Sequence, residues 1–299
     1  MHQALFVIST GRCGTQWLAR ALQSSCADSA EIAHEPLHSG YMPRKMLAAA
    51  DPANLDQANA DVILAHVARI EEILRSRAYI ECGYPLWSTL PYLLKRFGGR
   101  VRVVHLMRHP IPTAWSWLAQ QAYCAPLAPH LAMKEPLSAF DEGIAFTSYR
   151  ARWSELSPYE KALFYWLEVN SFASRHEQRT DAPWLRIRFE ELFSAVTLKT
   201  LLVFAGIDAS SQVHAPPPTD DHPYLAGHWS DPALIARHTD VIELATALGY
   251  DALDFDAAKL RRRYVGGRNP SAKHGLQYAL CTSGYVQYRT GNGVSCILY

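Results

Sequence analysis

The sequence lacks most of the features that announce a function from composition. Its 29 basic and 28 acidic residues leave a formal net charge of +1 at pH 7. There is no global field to gather nucleic acid or an anionic membrane, so any anion site has to be a local cluster of Arg or Lys. Six cysteines, at 13, 26, 82, 124, 281 and 296, form no C-x-x-C pair and no zinc spacing. Scattered through a long chain, they read as free thiols in a reducing compartment. No apolar run approaches the roughly 20 residues that span a bilayer. No basic segment with a long apolar core opens the chain, which sets the expectation of a cytoplasmic protein without a signal peptide. No carboxylate cluster suits Mg²⁺, and no metal is expected.

What is present is a chain of 299 residues, 49% hydrophobic and 19% charged, enough for a globular protein with a sizeable core. Near its start an apolar run, Ala4-Leu5-Phe6-Val7-Ile8, leads into Ser9-Thr10-Gly11-Arg12-Cys13-Gly14-Thr15-Gln16-Trp17. Trp17, Leu18, Ala21 and Leu22 then fall on one helix face. The order strand, glycine-bearing loop, helix aims several backbone N–H groups and a helix N-terminus at one spot, which suits a phosphate. Arg12 adds a planar cationic fork for oxyanions, and Thr15 adds a hydroxyl. The loop is not a Walker A motif, because no Lys follows Gly14.

Further along, Ile63, Val67, Ile70 and Leu74 mark a helix face, Tyr79-Ile80-Glu81-Cys82 a short strand, and Leu90 to Lys95 a short helix stopped by Gly98-Gly99. Residues 42–59 read as irregular structure with short helices. Val101-Arg102-Val103-Val104-His105-Leu106-Met107 is the clearest strand, nearly all apolar or β-branched as in a parallel sheet covered on both faces. It ends in Arg108-His109-Pro110, and a helix bearing Trp115 and Ser116 follows. Residues 122–156 have no clear period and read as a lid or substrate-binding excursion. Ser157-Pro158-Tyr159-Glu160 is a capping box with Pro at the first helical position. A strand at 184–189, a helix ending at Gly206, and a single helix from Ser230-Asp231-Pro232 to Gly249 complete the pattern. Strands alternating with helices predict an α/β fold with a central parallel sheet, P-loop nucleoside-triphosphate-hydrolase-like, in one domain over 1–265. The glycine-rich tail, 266–299, shows no steady period and is expected to be poorly ordered or to pack late. In such sheets ligands bind beyond the carboxyl ends of strands, where the loops at 9–17 and 108–116 both lie.

These two loops together resemble those of the sulfotransferase family, which transfers a sulfuryl group from 3′-phosphoadenosine 5′-phosphosulfate to a hydroxyl or amine. The loop at 9–17 resembles the family's 5′-phosphosulfate loop, with Arg12, Gly14, Thr15 and Trp17 in place. The loop at 108–116 resembles its 3′-phosphate motif, with Arg108 closing a strand and Ser116 eight residues later. Arg188-Phe189-Glu190-Glu191-Leu192 is similar to an Arg-Tyr-Glu-Asp-Leu segment of that family, with Phe189 where Tyr is common. The resemblance implies that Thr10, Gly11, Arg12, Cys13, Gly14, Thr15, Gln16, Arg108 and Ser116 hold the sulfated nucleotide as co-substrate, with Arg12 stabilising the leaving oxygen. It covers roughly residues 4–250 and sides with bacterial and carbohydrate-directed members, because Gly83 stands where cytosolic members carry a catalytic His. Glu35-Pro36-Leu37 resembles a Glu-Pro-Leu run of the former group. Glu35 is the first choice of base, His34 the second and Glu81 the third.

The implied partner is a small-molecule or carbohydrate acceptor, such as a sugar, a lipid headgroup or a phenol. It would be chosen by residues of 36–60 and 122–156, among them Tyr41, Arg44, Lys45, Tyr123 and Lys134. No nucleic acid and no membrane span are expected, and nothing in the sequence specifies an oligomer. Trp115 and Trp166 read as core, Glu190 and Glu191 as first-turn charges, and Arg261-Arg262-Arg263 as a solvated run with a secondary claim on the 3′-phosphate. Two other classes stand beside the transferase. One is a P-loop nucleotide kinase or hydrolase, which Mg²⁺-dependent ATP consumption would mark. The other is a nucleotide-binding protein without catalysis.

Overall fold

The computed structural model describes residues 2–49, 61–126, 132–208, 213, 215–217, 230–264, 278–280, 285–290 and 293–298. The later part of the expected irregular stretch, 50–59, and residues 266–277 of the tail lie outside them. The chain forms two compact units, one of Met1–Arg108, Phe140–Thr147 and Glu168–Thr219, the other of His109–Ala139, Ser148–Leu167 and Asp220–Tyr299.

The first unit is built on strands β1 (Ala4–Ile8), β2 (Ala30–His34), β3 (Ala78–Cys82), β4 (Val101–Met107) and β5 (Trp184–Arg188). They form a parallel sheet in the order β2-β3-β1-β4-β5. The expected α/β class and central parallel sheet are therefore what is found. Every residue of β1 and β3 is buried, as continuous apolar strands covered on both faces require. On one face, Leu5, Val7, Ile80, Val104 and Ile187 pack against Leu18 and Leu22 of α1 (Thr15–Cys26) and Leu198 and Leu201 of α7 (Ala195–Phe204). On the other, Phe6 meets Phe97 of α4 (Leu90–Phe97) and Tyr79. His105 Nε2–H donates to Asn170 Oδ1, 2.9 Å away, in the second half of α6 (Pro158–Glu177). The expected helix face is realised in α3 (Asp61–Ile73), which buries Ile63, Val67 and Ile70. α2 (Pro43–Ala48) is one of the short helices expected after 42.

The carboxyl ends of the strands come level. His34 pairs with Cys82, Val7 with Cys82, and Ile8 with His105. Since β1 sends its chain to one side of the sheet and β4 to the other, the loop after β1 and the end of β4 lie at a topological switch point, where open α/β sheets bind ligands.

The second unit holds α5 (Pro110–Leu118), the start of α6, α8 (Thr239–Ala247) and α9 (Ala257–Tyr264). Trp115 stacks with Tyr264 and tilts against Tyr159 in its core, and Trp166 is fully buried. The capping box forms as read: the Ser157 amide donates to Glu160 Oε2 at 2.9 Å, and the Glu160 amide to Ser157 Oγ at 3.3 Å. One expectation is corrected. The helix expected from Pro232 to Gly249 is a 3₁₀ turn, Pro232–Arg237, and then α8, because His238 takes φ −122° and ψ 72°. Its imidazole is drawn inward, where Tyr149 and Glu160 take its two nitrogens at 3.0 and 3.3 Å. The tail carries strands β6 (Tyr278–Leu280), β7 (Tyr285–Thr290) and β8 (Gly293–Leu298), paired antiparallel in that order. No described helix is long and apolar enough to cross a membrane.

Candidate functional site

The loop after β1 owes its shape to three left-handed residues, Gly11, Arg12 and Gly14, at φ 72°, 60° and 84°. Two are glycine, for which that region carries no Cβ penalty; Arg12 is held there by its surroundings. Ser9 Oγ accepts the Gly11 amide at 3.0 Å. Thr10 Oγ1 and Cys13 Sγ both donate to the Gly11 carbonyl, at 3.1 Å each. Cys13 is fully buried, and burial pushes its thiol pKa up despite Thr10, Arg108 and Arg12, so it is a packing group rather than a nucleophile. Gly14 has a further reason to be glycine. A Cβ there would lie 2.8 Å from Leu192 Cδ2 and 3.4 Å from the Phe189 ring. The segment singled out at 188–192 thus packs directly beneath the loop.

Gly14 is also the N-cap of α1, and it supplies no side-chain cap; the first turn has no acidic residue either. The amides at this helix end keep their positive field for an anion, with Thr15 and Gln16 at its first positions. Arg108, 6% exposed, donates from Nη1 to the Arg12 carbonyl at 2.7 Å. Its guanidinium lies 4.2 Å from the centre of the Phe189 ring. The end of β4 is thereby tied to the back of the loop. Ser116 is buried on α5, in the second unit.

The candidate bases stand at the end of β2. Thr15 Oγ1 and His34 Nε2 share a hydrogen bond of 3.2 Å, and the same nitrogen is 3.7 Å from Glu35 Oε1. His38 Nδ1 is 4.0 Å from Glu35 Oε2. Burial first, then the charges of His38 and Arg20, push the His34 pKa down to about 4, so the ring is neutral at pH 7 and a weak base. Glu35 keeps 16% of its side chain exposed. Tyr84 lies near both Glu35 and Arg12: burial and the Glu35 charge push its phenol up, and the Arg12 charge opposes them. Arg12, Thr15, His34, Glu35 and Arg108 are therefore gathered around one loop.

Glu81, the third choice of base, points elsewhere. It is 1% exposed and accepts hydrogen bonds from the Tyr41 hydroxyl, from Tyr79 Oη at 2.7 Å and from His66 Nε2–H at 2.9 Å. Burial and the Glu81 charge push both phenols up, so they stay protonated donors. Tyr41 is thereby taken up in the interior rather than facing an acceptor, and Tyr123 likewise donates to the Leu137 carbonyl at 2.8 Å. Arg44 Nε binds Asp141 at 2.7 Å, and Lys134 Nζ lies 5.3 Å from the Trp117 ring centre. Three contributors went unread in the sequence: Tyr84, the Phe189 ring as a platform for Arg108, and Gly83 packed against Glu35. Phe189 and Gly83 carried a signal, as departures from a common Tyr and from a catalytic His.

No family model matches the sequence, and no curated protein matches it. Among solved structures, the chain is similar to the sulfotransferase domain of the Synechococcus PCC 7002 olefin synthase, at 17% identity over 84% of this chain and 96% of that one, with a TM-score of 0.45. It is similar to mouse sulfotransferase SULT7A1 complexed with PAP, at 16% identity over 89% of this chain and 73% of that one, with a TM-score of 0.37. It is also similar to a sulfotransferase from Alicyclobacillus acidocaldarius, at 13% identity over 88% of this chain and 100% of that one, with a TM-score of 0.48.

Proposed function

We propose that the protein transfers a sulfuryl group from 3′-phosphoadenosine 5′-phosphosulfate to a hydroxyl or amine of a carbohydrate, lipid or other small acceptor. The observation that carries this reading is the meeting of an anion loop and a carboxylate: His34 Nε2 lies 3.2 Å from Thr15 Oγ1, at the helix end, and 3.7 Å from Glu35 Oε1. The residues fit the donor. An uncapped helix N-terminus, without acidic residues in its first turn, and Arg12 suit a phosphosulfate. Arg108 braces the loop and is the candidate for the 3′-phosphate.

The acceptor oxygen or nitrogen attacks sulfur in line, and the bond from sulfur to the bridging oxygen breaks. The electron pair leaves with adenosine 3′,5′-bisphosphate, and the acceptor proton passes to the Glu35 carboxylate. Arg12 and the loop amides meet the charge that grows on the leaving oxygen. Neutral His34 orients Thr15 and Glu35 rather than taking the proton. Calorimetric titration with adenosine 3′,5′-bisphosphate is expected to give saturable binding that Arg108→Ala weakens about tenfold or more. Absence of binding to the wild-type protein would overturn the reading, and Mg²⁺-dependent ATP consumption would move it to a kinase.

A further inference from the structure

Gly83 follows β3, and the space where its side chain would stand is filled by Glu35. A Cβ on Gly83 would lie 2.7 Å from Glu35 Cγ and 3.3 Å from the Glu35 amide nitrogen. Gly83 itself is not among the residues with positive φ. It is the close approach of Glu35, not backbone twist, that demands glycine here. The unusual backbone belongs to Glu35, at φ 46° in the left-handed region, where a residue with a Cβ is strained. Two hydrogen bonds hold it there, and a third pins Gly83 beside it. The Glu35 amide donates to the Cys82 carbonyl at 3.1 Å, the His38 amide to the Glu35 carbonyl at 3.0 Å, and the Gly83 amide to the Val7 carbonyl at 3.2 Å. The ends of β2, β3 and β1 are thus laced together past the last ladder pair. Strain that the surroundings enforce on a charged residue at a strand end is a mark of a functional position.

We infer that Gly83 is the positioning residue for Glu35: by having no side chain, it lets the chain turn left-handed after β2 and seats the carboxylate between His34 and His38, beside the anion loop. This rests on the reading of Glu35 as the base. A side chain at 83 and Glu35 in its present seat exclude each other, so the group facing the loop is decided at position 83 as much as at position 35.

Two cycles of variants test this in the full-length chain. The first reads stability and needs no activity. Gly83→Ala is expected to lower the melting temperature by about 3 °C or more. In an E35G background, where the clashing side chain and the backbone strain are both gone, the same substitution is expected to change it by less than about 1 °C. Equal losses in both backgrounds would overturn the seating. The other cycle reads sulfuryl transfer. Gly83→Ala is expected to lower kcat about 10- to 100-fold with the affinity for adenosine 3′,5′-bisphosphate unchanged. In an E35Q background it is expected to lower the residual rate by less than about twofold, because the group it displaces is already inert. Multiplicative losses would give Gly83 a role independent of Glu35 and overturn the inference. If the wild-type chain transfers no sulfuryl group, the proposed function fails while the melting cycle still decides the seating.

Discussion

Glu35 and Glu81 are near neighbours with opposite fates. Glu81 lies opposite Ala33 in the β2–β3 ladder, two residues before Glu35. It is 1% exposed and receives Tyr41, Tyr79 and His66. Glu35 lies just past the strand ends, with imidazoles 3.7 and 4.0 Å from its two oxygens and part of its surface open. A carboxylate inside the sheet layer needs donors for its lone pairs, and once it has them it is locked as part of the core. One that projects beyond the strand ends keeps access to a ligand. The comparison separates a carboxylate enclosed by its donors from the one proposed as the base.

The largest effect expected from breaking the comparison is in Glu35→Gln. Turnover is expected to fall about 10²- to 10⁴-fold in steady-state assays, while affinity for adenosine 3′,5′-bisphosphate and melting temperature stay near wild type. Full turnover would move the base to His34. Next is Glu81→Ala, expected to cost about 3 kcal/mol in urea unfolding, because it leaves the Tyr41 and Tyr79 hydroxyls buried without their acceptor. Its turnover per folded molecule is expected to stay near wild type. A large loss of turnover with intact stability would exchange the roles of the two acids.

A smaller effect sharpens the picture through pH. His34 is held at about 4 by burial, His38 and Arg20, and His105, fully buried, is also held at about 4, chiefly by burial. Both values lie below the ordinary imidazole value of about 6.5, so the unfolded chain binds more protons across that interval. The stability these neutral rings contribute is fully present above pH 6.5 and falls as pH drops toward 4. Urea unfolding at a series of pH values should show that decline, and His34→Gln should make it shallower. A stability that rises on acidification over the same range would contradict the neutral His34 assigned to the site.

Much of the first unit was legible because its signals are local. Apolar runs marked β1 and β4, the spacing of Ile63, Val67 and Ile70 marked α3, and the glycines with Arg12 marked the loop. Local spacing also exposed the capping box at Ser157 and Glu160. The break at His238 was not legible, since it is caused by Tyr149 and Glu160, each more than 70 residues away in the chain. Glu81 could be weighed as a base in the sequence only because the two tyrosines and the histidine that enclose it lie at 41, 66 and 79, with no pattern linking them. The tail strands escaped notice because short antiparallel segments among glycines carry little period.

By itself the sequence determined the elements and the chemistry they offer: a strand, a glycine-bearing loop, a helix start and Arg12. Those follow from backbone sterics and from side-chain type within a few residues. Only the tertiary structure decided which carboxylate faces the loop. The sheet inserts β3 between β1 and β2, which brings Gly83 against Glu35 across a ladder. That contact is set by strand pairing between distant segments, and its content is the absence of a side chain at one position and the burial of a carboxylate at another.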